Sequence, residues 1–126
     1  MTDRYADLAR LTGMVYRQRQ AELQALRAEE HKLQEAMMAL RDNRRASAQA
    51  DHADPVRQSL GADILWQGWL DARQRELSIE MARLRARREP VEQRLRLAFG
   101  RDQVAQKLHE RAAQAERARR AAKQQG

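Results

Sequence analysis

The sequence predicts an all-α protein in which two long helices fold back on one another as an antiparallel coiled-coil hairpin. The first observation is composition: among 126 residues, 34% are charged and only 4% are aromatic. Such a composition is typical of long helices, and it leaves too few aromatic and β-branched residues for a sheet. The second observation is a three-and-four spacing of apolar residues. The third is that turn-forming residues cluster in a single segment.

The first helix is predicted from an apolar stripe that begins near the N terminus. Its regular part consists of Leu23, Leu26, Glu30, Leu33, Met37 and Leu40. Leu8, Leu11 and Val15 are expected to extend this stripe upstream, although joining Val15 to Leu23 requires two successive steps of four through Arg19. An irregularity of this kind, called a stutter, predicts that the supercoil relaxes locally around Arg19.

Residues 51–62 are predicted to form the turn of one hairpin domain that spans the whole chain. Turn formers concentrate here, namely Asp51, Asp54, Pro55, Ser59 and Gly61. Asp54 is expected to cap a short turn, and Asp63 to cap the second helix. The predicted helices therefore cover about residues 3–50 and 63–123, and each must bury its stripe because helices are marginally stable alone.

The second helix carries an apolar residue at every seventh position. This line consists of Leu70, Leu77, Leu84, Val91 and Ala98, with Met81 and Leu95 on its companion line. After Phe99 the stripe is expected to shift to Leu97, Val104, Leu108, Ala112 and Ala115. Pro90 removes a backbone hydrogen bond, and we expect a bend there because the spacing continues from Leu84 to Ala98.

A fold-back in the middle of the chain predicts which residues of the two helices lie opposite each other. The expected neighbours are Leu33 and Ile79, Leu26 and Ala86, Val15 and Leu97, and Leu8 and Val104. The predicted stutter at Arg19 then lies opposite the interval between Pro90 and Phe99. Both helices are thus expected to lose strict register at the same level.

The sequence offers no pattern typical of an enzyme, a metal site or a cofactor site. The chain has no cysteine, so disulfides and cysteine-bound zinc are excluded. His31, His52 and His109 have no neighbours at metal-ligand spacing, and the glycines are too scattered for a phosphate loop. We therefore expect neither catalysis nor a small-molecule substrate. Short apolar runs and an acidic N terminus also argue against membrane spans and a secretory signal, which favours a cytoplasmic protein.

Both tryptophans lie within one helical turn, and two interpretations remain open for them. Trp66 and Trp69 are three residues apart and therefore share a helix face. They are expected either to close the end of a thin hydrophobic seam or to form a partner-docking surface with Leu70 and Arg73. The second interpretation rests on the enrichment of tryptophan and arginine in binding hot spots.

Basic charge is concentrated toward the C terminus. The net charge is +7, and the C-terminal stretch includes Arg111, Arg117, Arg119 and Arg120. Many mid-chain charges have a partner four residues away, as on a solvated helix face. The C-terminal stretch is less balanced and has a shallow apolar stripe. It is expected either to fray in solution or to become ordered inside an acidic partner.

The second helix resembles that of the YscO/FliJ family, the small coiled-coil proteins of bacterial type III secretion systems. The resemblance covers about residues 63–110 and favours the injectisome branch over the flagellar one. It is carried by Trp66-Gln67-Gly68-Trp69-Leu70, Arg73-Gln74, Glu76-Leu77, Leu84, Arg87-Arg88-Glu89 and Leu97-Ala98-Phe99-Gly100-Arg101. Pro90 departs from the pattern of that helix.

This resemblance implies a central-stalk component that inserts into a hexameric secretion ATPase, promotes its assembly and activity, and links it to the export gate. Some family members also bind export chaperones. The gate- or chaperone-facing surface would comprise Trp66, Trp69, Leu70 and Arg73. The ATPase-facing surface would comprise Tyr5, Leu8, Arg111, Arg117, Arg119 and Arg120. The implied location is cytoplasmic, peripheral at the inner-membrane secretion apparatus.

Two other functions compete with this interpretation. A basic coiled-coil protein can bind nucleic acid, but here the aromatic residues lie far from the basic stretch, so stacking and phosphate contacts are not interleaved. A homodimeric scaffold would pair its helices between chains. The hairpin instead predicts a monomer near 14.7 kDa.

Overall fold

The computed structural model describes residues 2–53, 55–56 and 61–126, and it contains two long helices in that part of the chain. Helix α1 spans Thr2–Ala53 and helix α2 spans Ala62–Gln125. The two helices contact each other, which confirms the predicted all-α helical hairpin. Each observed helix end lies within about three residues of its predicted position. No helix in the described residues is long and apolar enough to cross a membrane.

The buried face of α1 follows an unbroken alternation of three- and four-residue steps. The positions that follow this alternation, all buried or half-buried, are Tyr5, Ala9, Thr12, Tyr16, Arg19, Leu23, Leu26, Glu30, Leu33, Met37, Leu40, Arg44 and Ser47. The predicted stripe from Leu23 to Leu40 is confirmed. The upstream extension is wrong, because Leu8, Leu11 and Val15 are exposed. The predicted stutter at Arg19 is also wrong, since a regular coiled coil continues through Tyr16 instead.

The buried face of α2 keeps its register past Phe99. Its positions are Trp66, Leu70, Arg73, Leu77, Met81, Leu84, Arg88, Val91, Leu95, Ala98, Asp102, Ala105, His109, Ala112 and Glu116. The line of sevens from Leu70 to Ala98 is confirmed. The predicted shift to Leu97, Val104 and Leu108 is wrong, because all three are exposed. The one irregular step in this series lies elsewhere, where two steps of four meet at Leu77.

Helix α2 continues through Pro90 without a break. Proline lacks the N–H that would bond the carbonyl of Ala86, four residues earlier. Both Pro90 and Ala86 are exposed, so water can solvate the freed carbonyl. This placement on the solvent side explains why the helix tolerates a residue that is costly elsewhere.

Contacts within the chain group into two units, each built from segments of both helices. The terminal unit comprises Met1–Gln24 and Arg88–Gly126, and the central unit comprises Ala25–Arg87. The organisation of the chain as one domain stays a prediction.

The core of the central unit consists of leucines from both helices. Leu40, Leu70 and Leu77 are buried, and Leu33, Ala36, Met37 and Trp66 pack against them. Outside this core, Arg87 Nη2 lies 3.1 Å from Glu29 Oε2, and Arg85 Nε lies 3.8 Å from Glu30 Oε1. These contacts join α1 to α2 in an antiparallel arrangement, although exposed ion pairs of this kind add little stability.

The terminal unit is packed largely with small and polar residues. Ala9, Ala98 and Ala105 are buried there, together with Leu23. The Thr12 hydroxyl lies 3.0 Å from Asp102 Oδ1, and the Tyr16 and Phe99 rings lie 5.5 Å apart between centroids.

The observed register of the two helices differs slightly from the predicted one. Leu8 and Val104 line the same groove, as their predicted pairing requires. Ile79 is exposed, however, and Leu84 rather than Ile79 lines a groove with Leu33. In the central unit, the α2 residue beside Leu33 therefore lies a few positions further along the helix than predicted, because Leu84 and not Ile79 belongs to the buried face.

Helix α2 begins after a glycine that has a left-handed backbone conformation. Gly61 has φ of 71°, a region that residues with a side chain rarely adopt. The N–H of Leu65 donates to the Gly61 carbonyl over 3.4 Å. Asp63 was expected to cap the helix, but the helix starts at Ala62 and places Asp63 inside its first turn. The expected cap at Asp54 lies outside the described residues, as do residues 57–60 of the predicted turn.

Candidate partner-binding surfaces

The turn-side surface, defined as Trp66, Trp69, Leu70 and Arg73, lies in the central unit. The two indole rings are stacked, with centroids 5.1 Å apart and planes 10° from parallel. Trp66 is half-buried and its Nε1–H donates to the Ser47 hydroxyl, whereas Trp69 is 54% exposed. One ring therefore packs against the core and the other lies on the surface, and a partner-docking role for the pair stays a prediction.

The other two members of this surface differ in what they can offer a partner. Leu70 is fully buried, so it supports the tryptophans and is not itself accessible. The Arg73 guanidinium is partly exposed and lies 3.0 Å from the Glu76 carboxylate. A partner can reach the Arg73 side chain, but its charge is already shared with Glu76.

Ile64 and Leu65 are exposed apolar residues close to Trp69 in the sequence, and they are not among the predicted site residues. They are 73% and 79% exposed. Leu65 lies four residues before Trp69 and therefore shares its face of α2, whereas Ile64 lies on another face. Leu65 thus enlarges the apolar surface beside Trp69, and the spacing of the α2 buried face, which leaves both residues outside it, could have indicated their exposure.

The terminal-side surface, defined as Tyr5, Leu8, Arg111, Arg117, Arg119 and Arg120, lies in the terminal unit. Tyr5 is half-buried on the inner face of α1, and the four arginines are exposed. Leu8 is exposed because the buried face of α1 passes through Ala9 instead. The structure therefore brings these residues into one unit, but it orients Tyr5 and Leu8 differently.

The basic end of α2 extends beyond its packed part. Glu116 is the last half-buried residue, and every residue from 117 to 126 is exposed although the helix continues to Gln125. Within the described residues, the ion pair of this segment joins Arg120 Nε to Glu116 Oε1 at 3.7 Å. Nothing within the described chain packs on the segment, so its helical form depends on local propensity alone.

A second terminal feature is a groove that the sequence interpretation missed. It has a volume of about 590 Å³ and is lined by Leu8, Thr12, Leu97, Gly100, Arg101, Val104 and Ala105. We call it the terminal groove. It exists because Leu97 and Val104 flank the buried face instead of joining it. Continuing the regular spacing past Phe99 would have revealed this from the sequence.

Comparison with known proteins does not identify a family for this chain. No family model, no curated protein and no solved structure matches this chain. The resemblance to the YscO/FliJ family therefore stays a prediction from sequence, and the function follows from the surfaces of the molecule as a proposal.

The described residues contain no cluster of histidines, cysteines and carboxylates that could hold a metal ion. His31 is exposed and lies 3.0 Å from Glu35, within the same helical turn. His109 is half-buried on the inner face of α2. The side chain of His52 lies outside the described residues.

Proposed function

We propose that this protein is a central-stalk component of a bacterial type III secretion apparatus. In this role it inserts its terminal unit into a hexameric secretion ATPase, promotes assembly and activity of the ring, and connects the ring to the export gate. The observation that carries the proposal is the exposed basic helix beyond Glu116, which belongs to the same unit as the N-terminal turns of α1. The resemblance of residues 63–110 to the YscO/FliJ family supports the same role.

The chemistry of the terminal side suits a cavity lined with carboxylates. Among the described residues, Arg111, Arg117 and Arg119 form no ion pair with a carboxylate, and an arginine fork can bind a carboxylate with two hydrogen bonds. Charges at the rim of an interface mainly accelerate association and select the correct partner. The exposed end of α2 is accessible in the free protein and would gain packing contacts on binding.

The turn side suits a different partner. Trp69 and Leu65 form an exposed apolar surface, and the Trp66 ring stacks on that of Trp69. A rigid aromatic side chain loses little conformational entropy on binding, which makes it an effective anchor. We assign this surface to the export gate or to an export chaperone.

Adding the protein to the secretion ATPase of the same organism is expected to raise the rate of ATP hydrolysis severalfold and to increase ring assembly. Replacing Arg117, Arg119 and Arg120 by glutamine in one variant is expected to raise the protein concentration needed for half-maximal stimulation about tenfold, because three rim charges are lost. Hydrolysis is measured by phosphate release, and assembly by sedimentation.

Trp69→Ala is the matched control, since it removes an exposed side chain of the other unit. It should leave ATPase stimulation unchanged. Absence of stimulation by the unaltered protein at a saturating ratio would contradict the proposed role. Equal loss in both variants would contradict the assignment of the two surfaces, and binding to random-sequence DNA with a steep salt dependence would favour a nucleic-acid function instead.

A further inference from the structure

The terminal unit exposes apolar side chains along one side of both helices. On α1, Leu8, Leu11 and Val15 follow steps of three and four and therefore share a face. On α2, Leu97, Val104 and Leu108 share a face in the same way. All six are exposed, with Leu11, Leu97 and Val104 each near 60%. Six large apolar side chains on one side are more than scattered surface residues, and they indicate an interaction site.

These two faces adjoin in the terminal groove. Leu8 from α1 and Leu97 and Val104 from α2 line the same groove, with Ala105 among its lining residues. Gly100 also lines it, and a methyl group at this position would meet no atom within 4 Å. The groove is therefore a recess between two helices with apolar walls and open space above Gly100. A recess of this kind accepts the apolar side of a third helix.

The same side of the unit is basic. Arg4, Arg94, Arg101 and Arg111 are exposed and lie in the same rows as the apolar side chains. No acidic residue occurs in the α2 rows between residues 94 and 115, since Glu92, Asp102 and Glu110 fall in other rows of that helix. On α1, Asp7 lies four residues before Leu11, but its carboxylate is paired with Arg10 at 3.4 Å. Opposite charge on a partner would therefore be attracted, and positive charge repelled.

We propose that the terminal groove and its flanking arginines bind an amphipathic helix of a partner protein whose apolar stripe is flanked by glutamate or aspartate. A second copy of this chain fits poorly, because two such sides would bring eight arginines together, and the neighbouring carboxylate of Asp7 is already paired with Arg10. A lipid surface also fits poorly, because the apolar walls are recessed between the two helices.

This inference goes beyond the proposed function, because it depends only on the exposed side of the terminal unit. It holds for an acidic helix of any partner, whether or not that partner is an ATPase. The two proposals therefore fail independently, since the first is tested by ATP hydrolysis and the second by direct binding of a peptide.

The probe is a fluorescein-labelled synthetic helix of about 20 residues, long enough to span roughly 30 Å, with leucines at three-and-four spacing flanked by glutamates. It is expected to bind with micromolar affinity, as measured by fluorescence anisotropy. The same peptide with lysine in place of every glutamate is expected to bind at least about tenfold more weakly. Arg101→Glu should reverse the preference between the two peptides.

Val104→Asp is expected to weaken binding of the glutamate peptide at least about tenfold. Met38→Asp is the matched control and should have no effect, since Met38 is similarly exposed, at 61%, but lies in the central unit. Circular dichroism establishes that both variants remain folded. Failure of the glutamate peptide to bind, or an equal response of the two variants, would overturn the proposal.

Two further outcomes would replace the proposed occupant. Sedimentation that shows a dimer of the unaltered protein, dissociated by Val104→Asp, would identify a second copy of this chain as the occupant. Binding to vesicles of phosphatidylcholine and phosphatidylserine, lost in Val104→Asp without any binding of the peptide, would identify a lipid surface.

Discussion

Leu77→Ala is expected to lower the free energy of unfolding by about 2–5 kcal/mol. The Leu77 side chain is 2% exposed and belongs to the cluster formed with Leu40 and Leu70. Truncation removes apolar contacts and leaves a cavity, and the thin core of a helical hairpin has few other side chains to fill it. The loss is a large share of the stability that a chain of this size has.

Ile79→Ala is the control for this substitution. Ile79 is two residues further along α2 and is 51% exposed, so its truncation is expected to change stability by about 0.5 kcal/mol. Urea denaturation followed by circular dichroism measures both. A comparable loss in the two variants would mean that the buried face of α2 has been assigned to the wrong residues.

Ala98→Asp is expected to destabilise the protein by about 3 kcal/mol, whereas Leu97→Asp has a small effect. Ala98 is 5% exposed on the buried face, and a carboxylate placed there loses solvation without gaining a cationic partner. Leu97 is 60% exposed, and its replacement costs about 0.5 kcal/mol in helix propensity.

These two neighbouring substitutions test whether the buried face of α2 includes Ala98, as observed, or Leu97, as hydrophobicity predicts. Thermal unfolding of the two variants, compared at equal concentration, is the measurement. If Leu97→Asp were the more damaging change, the stripe would run through Leu97 and Val104, and the terminal groove would not exist.

The sequence was sufficient to predict the central unit because hydrophobicity and periodicity agree there. Leucines occupy the regular positions from Leu23 to Leu40 and from Leu70 to Leu84, and all of these positions are buried or half-buried. Burying leucines and keeping a steady three-and-four alternation then favour the same face of each helix. The helix ends and the antiparallel arrangement follow from that agreement and from the cluster of turn formers.

The terminal unit was predicted incorrectly because the two criteria conflict there. Hydrophobicity favours Leu8, Leu11 and Val15, whereas continuing the alternation upstream from Leu23 leads to Tyr16 and Ala9. Periodicity decides the outcome, because a helix pair that already supercoils keeps its register unless an extra residue interrupts it. Leu8, Leu11 and Val15, which this alternation leaves outside the buried face, therefore lie on the exposed side of the unit.

For the turn-side surface, spacing predicted which residues share a helix face but not which of them are buried. Spacing alone placed Trp66 and Trp69 on one face, but it could not determine that Ser47 bonds the Trp66 indole while Trp69 remains exposed. That distinction depends on a contact between α1 and α2, which is set by the register of the two helices. Leu70, one of the predicted binding residues, is buried for the same reason.

Cross-linking of a Thr12→Cys/Asp102→Cys variant tests most directly whether the two helices pair within one molecule. The chain has no native cysteine, so the two introduced thiols are the only sites for a short bis-maleimide. The Thr12 and Asp102 side chains are 3.0 Å apart across the helix pair. We expect rapid closure within single chains, independent of dilution, with a product near the monomer mass of 14.7 kDa plus the linker. Covalent dimers as the main product, or two thiols that never join within a chain, would contradict the hairpin and the surfaces derived from it.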